Sequence, residues 1–278
     1  MSPLRSNPRK ARVWYRFCRL LCRWCLRSLF RVRTWNMDRV PQDLEGGMIL
    51  ASNHQSYFDP PLAACMFRRE SRFIARSTLF SFGPFGRLID SVGAIPIARG
   101  ESDRAALRLA DEALKEGWFV TLFPEGTRTD TGYIEQVKPG VGTLAVRANV
   151  PVMPCFVHGA YDAWPRSCRI PRFGTRIDVF YGELIELPDG SLSRKKRAQY
   201  VNDRLRDSLL ELERAAHAKR PLSTRCAPPA RPDSPPVGAG TDDPPLRAET
   251  EEGQSEETGA PGKGSVEVAP GVGNNGKS

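Results

Sequence analysis

Short apolar runs alternate along this chain with stretches whose apolar positions recur every three or four residues, and the alternation predicts strands and helices in turn. Met48–Ala51, Arg72–Ala75, Gly93–Ala98, Trp118–Phe123, Val152–Val157 and Arg176–Tyr181 read as strands. Pro61–Phe67, Arg87–Ile89, Ser102–Glu116, Val141–Ala148 and Ser193 to about Ala218 read as helices, with Gly117 stopping the third of them. The Trp118–Phe123 run is almost unbroken, as in a strand covered on both faces. Pro96, which cannot donate to a ladder, marks a strand edge or bulge. Strands alternating with helices give an α/β layer structure: a single mixed, largely buried sheet flanked by helices.

The two ends of the chain differ from this body. From Arg12 to about Trp35 the sequence can be drawn as one amphipathic helix. Arg12, Arg16, Arg19, Arg23 and Arg27 fall within an arc of about 80°, and Trp14, Phe17, Cys18, Leu21, Trp24, Cys25 and Leu29 cover the opposite side. Five arginines in a stripe argue against spanning a bilayer, since each costs about 2.5–3.5 kcal/mol near its middle. Such a helix suits the membrane surface, with rings among acyl chains and guanidinium groups on phosphates. Packing on its own domain, or an Arg-rich transit peptide, are the alternatives. From Pro221 on, Pro, Gly, Ser and acidic residues dominate, which predicts a disordered tail. The expected organisation is therefore a basic arm over 1–39, a folded domain over 40–220 and a tail over 221–278.

Charge changes the picture once it is divided. The formal net charge is +9 overall, but residues 1–39 carry +10, the tail −4 and the body only +3. A basic arm on a near-neutral body argues against a nucleic-acid-binding core. Seven cysteines without a secreted-scaffold spacing suit a reducing compartment. Cys22-Arg-Trp-Cys25 has no second pair or nearby histidine to complete a metal site, so no metal is expected. Small apolar packing accounts for Cys18, Cys22 and Cys25, with palmitoylation as an alternative.

Candidate chemistry lies in two stretches. His54-Gln-Ser-Tyr-Phe-Asp59 follows the first strand and precedes Pro60-Pro61. On a continuous helix His54 and Asp59 would point about 140° apart, so they meet only if the chain turns between them. Asp59 as N-cap and Pro60 as first helical residue supply that turn. A carboxylate on one imidazole nitrogen leaves the other free as a base for a hydroxyl proton. The second stretch, Phe123-Pro-Glu-Gly-Thr-Arg128, ends a buried strand, where ligand sites of open α/β sheets gather. Gly126 admits close backbone approach, and Arg128 offers a fork matched to phosphate, with Glu125 holding that arginine or the loop. Arg99 ends the preceding strand and Lys138 adds a cation at a helix start. His158 and His217 are read as structural.

Asn53-His54-x4-Asp59, Gly93-Ala-Ile-Pro-Ile-Ala-Arg99, Phe123-Pro-Glu-Gly-Thr-Arg128 and Val150-Pro-Val-Met-Pro154 together resemble the ordered blocks of the glycerolipid acyltransferases, in particular the 1-acyl-sn-glycerol-3-phosphate acyltransferase type, over residues 40–190. The resemblance implies the glycerol-phosphate acyltransferase fold and His54 as general base with Asp59 orienting it. It also implies acceptor-phosphate binding by Arg99, Glu125, Gly126, Thr127, Arg128 and Lys138, and acyl or acceptor lining by Val150, Pro151, Val152 and Pro154. Donors would be acyl-CoA or acyl-carrier protein, with no cofactor or metal. The partners would be a lysophospholipid and the phospholipid surface at the cytoplasmic face of the membrane. Many members carry Lys where this chain has Ala75-Arg76, so Arg76 would take over a contact to the thioester oxyanion. Acylation of another lysolipid, hydrolysis, and a non-enzymatic membrane-surface protein are the competing readings. No G-x-S-x-G elbow supports a covalent serine.

Overall fold

The computed structural model describes residues 8–41, 43–98 and 103–221. All lie in the first of the chain's two units, Met1–Pro232. Arg99 and the acidic tail therefore fall outside the described residues, as does the side chain of Arg12.

Seven strands form one sheet: β1 (Arg31–Trp35), β2 (Met48–Ser52), β3 (Ser71–Arg76), β4 (Ile95–Ile97), β5 (Phe119–Leu122), β6 (Val152–His158) and β7 (Arg176–Tyr181). Their order is β1-β7-β6-β2-β5-β3-β4. Every pairing is parallel except β6 with β7, so the sheet is mixed, as the alternation of runs predicts. The helices are α1 (Pro8–Leu29), α2 (Asp59–Ala64), α3 (Ser77–Phe80), α4 (Gly83–Ser91), α5 (Asp103–Lys115), α6 (Gly140–Ala148), α7 (Ala160–Ala163) and α8 (Arg194–Lys219). Pro96 lies in β4, the sheet's edge strand, where its missing N–H leaves no ladder bond unmade.

Side-chain alternation along the central strands builds two cores. Ile49 and Ala51 of β2, with Val120, Leu122, Val152 and Phe156, meet residues of α5, α6 and α8. Met48 and Leu50, with Phe119, Met153, Cys155 and Val157, meet α2, Phe67, and Leu26 and Phe30 from the N-terminal segment. Burial of each such large side chain is worth about 1.5–3 kcal/mol, which is why a sheet filled on both faces fixes its register.

Three expectations are corrected. The N-terminal helix ends at Leu29, not near Trp35, and residues 31–35 join the sheet beside β7. Arginine in this segment hides a period of two: Arg31 and Arg33 are exposed while Val32, Thr34 and Trp35 are half-buried. Nor does the arginine stripe all face away from the body. Arg19 donates to the Phe67 carbonyl and Arg23 is half-buried, whereas Val13, Phe17, Leu20, Leu21 and Trp24 are exposed. Finally, the helix read over Arg87–Ile89 is longer, with α4 spanning Gly83–Ser91 and α3 just before it.

Candidate active site

β2 ends at Ser52, and the next residues make a loop fixed almost entirely by side chains of its own sequence. Asn53 spans to the neighbouring strand end: its Nδ2 donates to the Val157 carbonyl at 3.0 Å and its Oδ1 accepts from Val157 N at 2.7 Å. The chain then turns so that His54 Nδ1 lies 2.9 Å from Asp59 Oδ2. The same oxygen accepts from the backbone N–H groups of Gln55 at 2.5 Å and Ser56 at 2.6 Å. Asp59 is thus the first residue of α2 rather than its cap. Phe58 holds the cap position, and the buried carboxylate folds back onto the turn. Three hydrogen bonds to one oxygen fix the carboxylate, and the carboxylate fixes the ring. The His54 side chain is 20% exposed, so the ring remains reachable, and Nε2 is the nitrogen left to act.

The Phe123–Arg128 loop wraps this histidine. His54 N donates to Glu125 Oε1 at 2.7 Å, Thr129 N donates to the His54 carbonyl at 2.8 Å, and the Phe123 ring stacks on the imidazole at 4.1 Å. Among these contacts Glu125 holds the histidine's backbone, whereas the arginine or the loop was its expected partner. Burial pushes the Glu125 carboxyl up to about 8, with Asp59 adding to the shift and the His54 N–H opposing it.

Arg128 precedes Thr129, so the loop that clamps the histidine backbone also delivers the guanidinium. That group lies over the Tyr57 ring at 3.7 Å, and its Nη1 is buried without a hydrogen-bond partner among the described residues. A donor held this way is ready for an anion. Gly126 has φ +73°, and a Cβ there would approach Lys138 Nζ to 2.7 Å, so glycine lets the lysine lie against the loop. Lys138 N in turn donates to the Pro124 carbonyl at 3.0 Å. Thr127 is exposed on the same loop. Arg76, also exposed, ends β3, which pairs with β5.

The fourth block does not join them. Val150 and Pro151 precede β6, and Val152 and Pro154 sit in its first half opposite Ile49 and Ala51. They lie toward the end of the sheet away from His54, and Val150 and Val152 belong to the core. Strand pairing and core packing account for their regularity. Other residues, which no motif singles out, do join the site. Gln55 Nε2 donates to the Gly132 carbonyl at 2.5 Å, and Ser56 Oγ to the Trp164 carbonyl at 2.8 Å. The Trp164 ring packs on Tyr57 and Phe58. Among the described residues no cluster of His, Cys, Asp and Glu could hold a metal ion.

Comparison with known proteins gives a class for this region: residues 31–158, which include both the His54–Asp59 turn and the Phe123–Arg128 loop, match the acyltransferase family model. The chain is similar to the 1-acyl-sn-glycerol-3-phosphate acyltransferase of Pseudomonas aeruginosa, 32% identical over 55% of this chain and 58% of that protein. The protein of the same name from Bacillus subtilis is 25% identical over 72% of this chain and 96% of its own length. The alignment thus spans little more than half of the Pseudomonas relative. Among solved structures, the 1-acyl-sn-glycerophosphate (LPA) acyltransferase PlsC of Thermotoga maritima superimposes with a TM-score of 0.61 at 26% identity, over 74% of this chain and 82% of that one.

Proposed function

We propose that the protein moves a fatty acyl group from an acyl-CoA or acyl-carrier-protein thioester to the hydroxyl of a phosphate-bearing lysolipid, with 1-acyl-sn-glycerol 3-phosphate as acceptor and phosphatidic acid as product. His54 Nε2 takes the hydroxyl proton as the oxygen attacks the thioester carbonyl. The tetrahedral intermediate expels the thiolate, which leaves as the free thiol after taking the proton back. Thiolate departs readily, so catalysis is positioning plus one proton transfer. Arg128 binds the acceptor phosphate, with Lys138, Gly126 and Thr127 around it, and Arg76 faces the donor end; Arg99, outside the described residues, is assigned to the same phosphate by the resemblance alone. Glu125 acts on the histidine's backbone. The names of the relatives support the acceptor class.

The observation that carries this reading is the coupling of the two stretches. The loop that presents Arg128 is hydrogen-bonded to His54 on both sides of the residue, through Glu125 and Thr129, so base and phosphate anchor are held as one unit. No helix among the described residues is long and apolar enough to cross a membrane. The exposed Val13, Phe17, Leu20, Leu21 and Trp24 of α1, flanked by exposed Arg16 and Arg27, support attachment to the surface of a lipid membrane. The residue 1–39 segment then brings the enzyme to its acceptor, on the cytoplasmic face where the donors are made.

The test is a panel of lysolipid acceptors with and without a phosphate monoester, each offered with CoA and carrier-protein donors. Product should form with the phosphate monoesters and fall sharply when that group is absent or capped. Equal rates across the panel, or acyl hydrolysis without an acceptor, would overturn the assignment.

A further inference from the structure

The connection from α7 to β7, residues 164–175, is composed unlike the rest of the body. It carries Arg166, Arg169 and Arg172 with no acidic residue, and Ile170 and Phe173 are 74% and 61% exposed. The segment is not loosely held. Trp164 Nε1 donates to the Cys168 carbonyl at 3.0 Å, Arg172 N to the Ala163 carbonyl at 2.8 Å, and Thr175 Oγ1 to the Arg172 carbonyl at 2.7 Å. A loop pinned at these points still turns an isoleucine and a phenylalanine into solvent, so their exposure belongs to its folded shape.

Its position gives that exposure a direction. Gly174 N donates to the Leu29 carbonyl at 2.8 Å, Arg31 N to the Thr175 carbonyl at 3.0 Å, and the Phe173 ring lies 5.7 Å from Phe30. The loop is therefore continuous with the end of α1, where Leu29 is itself 47% exposed. At its other end Trp164 packs on Tyr57 and Phe58 and accepts from Ser56, inside the His54–Asp59 turn.

We propose that residues 165–174 form a second membrane contact, with Ile170 and Phe173 entering the boundary of the acyl chains and Arg166, Arg169 and Arg172 on the phosphates of anionic lipids. This rests on the membrane-surface reading of α1. Interleaved arginine and exposed apolar side chains, without a carboxylate, suit an anionic bilayer, whose headgroups take the charges while its chains take the rings and branches. Contact here, as well as along α1, would set the catalytic turn at the surface, since one loop touches both.

The test uses the full chain, vesicles of phosphatidylcholine alone and vesicles with about a quarter phosphatidylglycerol, and a short-chain water-soluble acceptor. Arg166→Gln/Arg169→Gln should weaken binding to the anionic vesicles by roughly fivefold per arginine and leave the neutral ones unchanged. Ile170→Ser should weaken binding to both, also by roughly fivefold. Turnover of the soluble acceptor should be that of the wild type in each variant, a readout that misfolding would not spare. Wild-type binding by the variants overturns the loop proposal and leaves the α1 reading intact. A wild-type chain that fails to bind vesicles at all overturns both. A raised KM for the donor with vesicle binding unchanged makes the loop a donor contact and also overturns it.

Discussion

Two histidines stand at the same end of neighbouring strands and differ in almost every property that decides reactivity. His54 follows β2 and His158 ends β6, strands paired in parallel from Ile49↔Val152 to Ser52↔Cys155. His54 is partly exposed and held through Nδ1 by a carboxylate. His158 is fully buried, no side chain hydrogen-bonds its ring among the described residues, and the ring lies 4.9 Å from that of His217. Burial, then the charge of Arg220 and the neighbouring His217, push the His158 imidazole down to about 3. The strand delivers a histidine to the edge of the sheet in both cases. The residues after the strand decide whether that histidine is aimed or sealed. Beyond β2 the chain makes a turn whose Asp59 comes back; beyond β6 it enters a buried single-turn helix.

The largest expected effect comes from removing the aimed ring. His54→Ala should lower kcat by about 10²–10⁴, the usual worth of a positioned general base, with a melting curve close to wild type. His158→Leu should keep most of the activity. Measured side by side, the pair breaks the comparison if the ranking reverses, or if His54→Ala keeps more than about a tenth of the wild-type rate.

Next in size is the loss of the anion anchor. Arg128→Gln should raise the KM for a phosphate-bearing acceptor by about 10- to 100-fold, the scale of a charge-assisted hydrogen bond of about 1.5–3 kcal/mol. It should leave donor KM and the low rate on a phosphate-free acceptor unchanged. A matching fall in kcat on all acceptors would place Arg128 in support of the turn instead of on the substrate.

Much of the aimed region is legible in the sequence because its causes are local. Asp59 opens a helix whose first turn is marked by Pro60, and Gly126 has the positive φ that its loop requires. The partners that complete the region are distant in sequence. Trp164, over a hundred residues beyond the Tyr57 it covers, carries no signal in its own neighbourhood. Neither does the β1 pairing to β7, for which Arg31 must find Arg176. Glu125 shows the intermediate case: its place in the loop is legible, but its bond to His54 N depends on how β5 and β2 align. The Val150–Pro154 block shows the converse, a regular pattern for which strand packing is a sufficient cause.

The smallest expected effect concerns the sealed ring and separates the two histidines by pH. The folded-state pKa of His158, about 3, lies below its ordinary value of 6.5, so the unfolded chain binds a proton there that the native chain does not. Its contribution to stability is therefore fully present above about pH 6.5 and declines as the pH falls toward 3. At about pH 5.5 the decline should reach about 1.4 kcal/mol, the value of one pH unit. Urea unfolding of wild type and His158→Leu at about pH 7.5 and 5.5 isolates this contribution, because the carboxylates that also respond to acid are common to both chains. The stability difference between the two proteins should shift by about that amount in favour of the leucine variant at the lower pH. Parallel acid dependences would mean that His158 takes up a proton in the native state despite the charge of Arg220, and the contrast with His54 would then rest on geometry alone.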